Sequence, residues 1–75
     1  MSVADERFRQ GDVFIDFPFE DVMFRYEASS KRFFRRFYGE SKEAEVPHDN
    51  RLLNDAIMSG QEIEAASYRS GKPRP

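Results

Sequence analysis

With 75 residues, no cysteine and a formal net charge of −2, the chain has room for one domain only, near the size at which a single core is marginal without a disulfide, a metal or a partner chain. The absent cysteines exclude a disulfide framework and a thiolate metal site, and they suit a reducing compartment. Low mean hydropathy and the lack of a long apolar run argue against a membrane span, and the first residues lack the apolar core of a signal peptide, so a soluble, cytoplasmic protein is expected.

The charge is unevenly placed. Residues 1–30 carry seven acids and three bases, 31–39 four bases and no acid, 40–66 seven acids and two bases, and 67–75 three bases. A basic island therefore lies between acidic flanks, with a second basic patch at the tail. Internal matching would pair Arg35 or Arg36 across a sheet with Glu27, Glu43 or Glu45.

In chain order, 2–10 reads as a short N-terminal helix with Ser2 as cap, Asp5 and Glu6 in its first turn, Val3 and Phe8 as anchors and Gly11 as stop. Residues 12–17, DVFIDF, are β-branched and aromatic and end at Pro18, which removes the next backbone donor. Alternation along this first strand puts Val13, Ile15 and Phe17 toward a core and Asp12, Phe14 and Asp16 outward, leaving Phe14 exposed or under another element.

Residues 22–27, VMFRYE, form a second amphipathic strand, and Ala28, Ser29, Ser30 and Lys31 supply a turn into a third strand over 32–38. The rival is one helix over 18–38 stopped by Gly39, since Val22, Met23, Tyr26, Ser30, Phe33, Phe34 and Phe37 fall near helical spacing. Phe24 and Tyr38 fall off that stripe, and paired serines among aromatics are middling helix formers, so the hairpin is preferred.

After Gly39, residues 44–46 read as a short edge strand before Pro47. The clearest helix covers 49–59, capped by Asp49 or Asn50, with Leu52, Leu53, Ala56 and Ile57 as its apolar stripe and Gly60 to end it. Residues 61–68 read as a short second helical turn anchored by Ile63 and Tyr68. The last six residues, SGKPRP, read as a disordered tail. The expected fold is α+β: an antiparallel sheet of about three strands (12–17, 22–27, 32–38) on one main helix (49–59), with 1–69 as the single domain and 70–75 as the tail.

The sequence names no chemistry. His48 is the only histidine, and beside Pro47 at a helix start a capping or solvent role is its ordinary one. Asp12, Asp16, Glu20 and Asp21 are interrupted by strand hydrophobics and lack the glycine-bearing loop of a calcium site. Glu40, Glu43 and Glu45 would need a cleft to act as paired acids. The glycines lie far apart, which excludes a phosphate-cradling loop. No catalytic residue, metal or cofactor is expected.

The stretch that stands out is Lys31 to Gly39, KRFFRRFYG, where cations and aromatics interleave. With eight Phe and three Tyr in the chain, aromatics exceed what one sheet face and one helix cover readily, and aromatics with arginine are what interface cores enrich. The first reading is a non-enzymatic protein-interaction module, such as an adaptor, inhibitor or immunity-type protein. It would bind a protein partner through Arg32, Phe34, Arg36 and Tyr38, the strand face turned from the helix, while Phe33 and Phe37 point inward and Arg35 snorkels or pairs with Glu27. The alternative is single-stranded nucleic acid on the same surface, rings stacking bases and cations taking phosphates, against which the overall acidity counts. No membrane partner is expected, and a homodimer stays open.

Overall fold

The computed structural model describes residues 5–75. Val13–Phe17 (β1), Val22–Glu27 (β2), Arg32–Phe37 (β3), Ala44–Val46 (β4) and Gln61–Ile63 (β5) form one sheet, interrupted in sequence by helix α1 (Arg51–Ser59) and followed by helix α2 (Ala65–Ser70). The spatial order is β4-β3-β2-β1-β5, with every neighbouring pair antiparallel. The α+β class holds, but the expected sheet of about three strands is corrected to five. Both added strands are three residues long; β4 is the short edge strand read at 44–46 but left out of the sheet of three, and β5, too short for alternation to be legible, occupies residues expected to turn helically before α2 begins.

Within the central meander the hairpin reading holds. Tyr26 faces Phe33 and Glu27 faces Arg32, and Lys31 closes the turn with φ 58, a left-handed conformation that a non-glycine residue adopts mainly in tight turns. Of the expected N-terminal helix, the described part is a 3-10 segment, Asp5–Arg9; Ser2 and Val3 lie outside the described residues.

Alternation gives the sheet two unlike faces. On one, Val13, Ile15, Phe17, Val22, Phe24 and Val46 meet Leu53 and Ala56 of α1 in a core, with Leu52 and Ile57 packed at its margin. Phe8, Tyr26 and Phe33 close one end of this core edge to face, Phe8 lying 5.3 Å from Tyr26 and 5.9 Å from Phe33 between ring centroids. Helix α1 starts where Asn50 Oδ1 accepts the Leu53 N–H at 3.0 Å, one of the orphan donors of a first turn. It ends where Gly60 N–H reaches Ala56 O, so close to β1 that a Cβ at Gly60 would meet the Asp16 carbonyl and Ile15 Cγ2 at 2.9 Å.

The other face carries Phe14, Asp16, Met23, Arg25, Phe34 and Arg36 in register, and α2 lies over part of it. Phe14 is therefore covered, its ring 5.4 Å from that of Tyr68. Met23 is fully buried and Asp16 is 3% exposed, although period two had turned Asp16 toward solvent. The residues expected to form a disordered tail explain the difference. Gly39 N–H donates to Lys72 O at 2.7 Å, and Lys72 Nζ donates to Asp16 Oδ2 at 2.5 Å, so the chain at Lys72 is fastened to the end of β3 and to β1.

Candidate functional site

The four residues singled out on β3 and just beyond it do share the face away from α1, but the structure gives them different tasks. Arg32 is exposed, with a long 3.7 Å approach to Glu45. Phe34 is half-buried beneath the Arg25 guanidinium, 4.2 Å from its ring centroid, a cation–π contact. Arg36 donates to Glu40 O at 2.8 Å and to the Tyr68 and Arg69 carbonyls at 2.7 and 3.0 Å. A planar guanidinium thus closes the C-terminal end of α2, where carbonyls lack helical donors and the dipole favours a cation. Tyr38 donates its hydroxyl to Asp16 Oδ1 at 2.5 Å. Arg36 and Tyr38 therefore hold the fold's second layer, whereas Arg32 and part of Phe34 face outward.

Charge matching on this face centres on Arg25 rather than on Arg35 or Arg36. Arg25 donates to both Glu43 oxygens, at 2.5 and 3.2 Å, and to Glu27 at 3.1 Å, while Ser30 Oγ donates to Glu27 at 2.6 Å. Tyr68 adds its hydroxyl to Glu43 at 2.7 Å. Arg35, on the α1 face, lies over the Phe37 ring at 4.9 Å. Arg25 had no local signal to mark it as a hub, because its principal partner lies 18 residues away in a loop.

A cleft of about 370 Å³ opens among Phe14, Arg25, Arg36, Glu43, Tyr68 and Arg69. The Arg25 hydrogen bond holds the Glu43 carboxyl below its ordinary value, outweighing partial burial, and Tyr68 adds to the effect. The Tyr68 phenol is pushed up, first by burial and then by donating to Glu43. Tyr38 is pushed up to about 12 by burial and by Asp16, and its neighbour Lys72 is raised by the hydrogen bond to Asp16. Both phenols stay donors and Glu43 stays an acceptor across neutral pH, so this network maintains shape instead of passing protons. His48 is exposed. Among the described residues no three His, Asp or Glu side chains converge to hold a metal, and no helix is long and apolar enough to cross a membrane.

A rigid two-layered body with committed polar groups is suited to recognition, and comparison with known proteins specifies the kind. Residues 1–72 match the profile of the Tis1 immunity protein. The chain belongs to the Tis1 immunity protein family. A curated relative, the immune protein Tis1 of Pseudomonas aeruginosa (strain UCBPP-PA14), is 44% identical over 70 residues, spanning 92% of this chain and 91% of its own. A chain from the crystal structure of the complex between the Type VI effector Tas1 and its immunity protein superposes with a TM-score of 0.93 at 40% identity, covering 100% of both chains. The match to the Tis1 family thus spans the five-stranded sheet and the helices on both of its faces.

Two large side chains stand outside both layers. Phe19 is 82% and Met58 70% exposed, the first in the 3-10 turn Pro18–Glu20 and the second in the last turn of α1. The sequence signal for Phe19 was its place between Pro18 and Glu20, past the end of the strand pattern. Met58 shows none, lying one position beyond the apolar stripe of its helix.

Proposed function

We propose that this chain is the immunity partner of a type VI effector similar to Tas1, and that it neutralises that effector by direct, non-covalent binding. The observation that carries the proposal is family membership over nearly the whole chain, joined to a 0.93 TM-score match with a chain from an effector–immunity complex. The geometry supports a non-enzymatic role, because in the cleft beside Tyr68 the Arg25, Glu43 and Tyr68 side chains are tied to one another and none of the three is paired as nucleophile with base. A cytoplasmic location belongs to the same proposal, as does a contribution from Arg32 and Phe34, the members of the basic–aromatic set with surface to offer. Single-stranded nucleic acid has less support: stacking surfaces need free cations beside their rings, and Arg25 and Arg36 are committed to carboxylates and carbonyls.

Co-expression with the Tas1-type effector of the same cell tests the proposal. The two proteins should purify as a stoichiometric complex that survives nuclease, and cells making the effector should grow only when this chain is present. Growth inhibition undiminished by this chain, with no complex formed, would overturn it.

A further inference from the structure

We infer that the effector docks on the end of the molecule formed by the Pro18–Glu20 turn and the last turn of α1, with Phe19 as the anchor, and that the partner presents an apolar pocket rimmed by lysine or arginine. The inference rests on the effector-binding function proposed above and locates it. Phe19 shares a cleft of about 310 Å³ with Pro18, Ser59, Gly60 and Gln61, and Met58 directly precedes this wall. A ring with 82% of its surface in water stays hydrated and forgoes the free energy of burial unless a partner covers it.

The ring is also held ready. Pro18 opens the turn, Asp21 N–H closes it onto Pro18 O at 3.2 Å, and Tyr38 N–H donates to Asp21 O at 2.8 Å. Asp21 takes the left-handed conformation, φ 53, and the Phe19 ring leans on Phe17 at 5.9 Å. An aromatic presented on a backbone tied down at both ends loses little conformational freedom on binding, which is what lets one side chain act as an anchor.

Charge decides the partner's chemistry. The residues that build this end, 18–21 and 58–61, contain no lysine or arginine. Asp16 and Glu62 are matched from elsewhere by Lys72 and Arg7. Glu20 and Asp21 are exposed and, among the described residues, stand outside every ion pair. An apolar anchor beside unmatched carboxylates selects a basic rim, and the carboxylates would raise the association rate more than they lower the dissociation rate. The basic–aromatic face offers the reverse: its cations are largely satisfied internally and its rings half-covered.

The test measures binding of the purified Tas1-type effector to the full chain by surface kinetics. Phe19→Ala, which leaves the melting temperature unchanged because the ring packs on no core residue but Phe17, should weaken binding at least about 30-fold, mostly by faster dissociation. Met58→Ala should weaken it several-fold, and the pair Glu20→Lys with Asp21→Lys should slow association at least about tenfold at low salt, with the difference shrinking as salt rises. Arg32→Glu with Phe34→Ala, which removes the contribution proposed above for that face, should weaken binding less than Phe19→Ala does. If Phe19→Ala binds like the wild type, or if the Arg32 and Phe34 changes abolish binding while those at Phe19 do not, the docking surface is elsewhere and immunity by binding still stands. If the wild-type chain itself fails to bind the effector, the proposed function falls and this surface falls with it.

Discussion

The two faces of the sheet are stabilised by different physics. Toward α1 the contacts are apolar, non-directional and close-packed, with Val13, Val22, Phe24, Leu53 and Ala56 completely shielded from water. Toward α2 a smaller layer is pinned by directional bonds, in which Arg25, Glu43 and Tyr68 form one network and Asp16, Tyr38 and Lys72 another. The first arrangement tolerates approximate shape but not lost volume; the second tolerates lost volume but not a lost partner. For a small chain the combination is economical in residues, since six residues of α2 and a few beyond it suffice to cover a face that a second long helix would otherwise have to bury.

The largest expected effect lies on the α1 face. Truncating Leu53 to alanine should destabilise by about 2–5 kcal/mol, a large share of what a domain this size possesses, because a fully buried side chain is replaced by a cavity. Denaturant unfolding checks it, and a near-wild-type midpoint would show that the α1 contact is not the principal core. Next comes Arg25→Ala, expected to cost about 1–3 kcal/mol by leaving Glu43 without its main donor. The double variant Arg25→Ala with Glu43→Gln should recover part of that loss; strict additivity would mean that the two residues act separately.

A pH series sharpens the contrast, because only the α2 face should respond. Glu43 titrates below its ordinary value of 4.5 when folded, so its contribution is complete above that value and is lost as pH falls through the depressed folded value. Tyr68 is shifted the other way from its ordinary 10; its contribution is complete below about 10 and is lost as pH climbs beyond. Thermal melting of wild type and Glu43→Gln between pH 3 and 6 should converge toward acid, and parallel curves would remove Glu43 from the account. The smallest effect is reserved for Arg32→Ala. Its approach to Glu45 at 3.7 Å joins two exposed side chains, and such pairs contribute about 0–1 kcal/mol, so unchanged stability is expected, whatever the change in effector binding.

The same division explains what is legible in the sequence alone. Periodicity is a local signal, and it placed β1, β2, β3 and α1 and the Phe33 and Phe37 orientation, while the cap of α1, left between Asp49 and Asn50, is Asn50. The α2 face depends on partners remote in sequence: Tyr68 with Glu43 across 25 residues and Lys72 with Asp16 across 56. No alternation pattern announces such pairs, so Asp16 read as solvent-facing, the tail as loose, and Arg36 either as a binding cation or as a partner of Glu27, Glu43 or Glu45, not as the cap of α2. The basic–aromatic stretch was legible as unusual, but half of what makes it so serves as internal fastening. Phe19 passed unremarked because a lone apolar residue in a turn is ordinary in sequence and becomes notable only once nothing is found to cover it.

Strand β5 arrives late in the chain yet lies beside β1, pairing Phe14 with Ile63 and Asp16 with Gln61. Until those three residues are in place, β1 is an edge strand, and its VFIDF segment offers an open row of backbone donors and acceptors flanked by large apolar side chains. Such segments invite pairing with other chains. Residues 61–63 thus act as a cover strip that takes up the open edge of β1. Gly60 sets the closure, because its bare backbone lets the chain pass within van der Waals reach of β1; a larger residue there would hold the edge open.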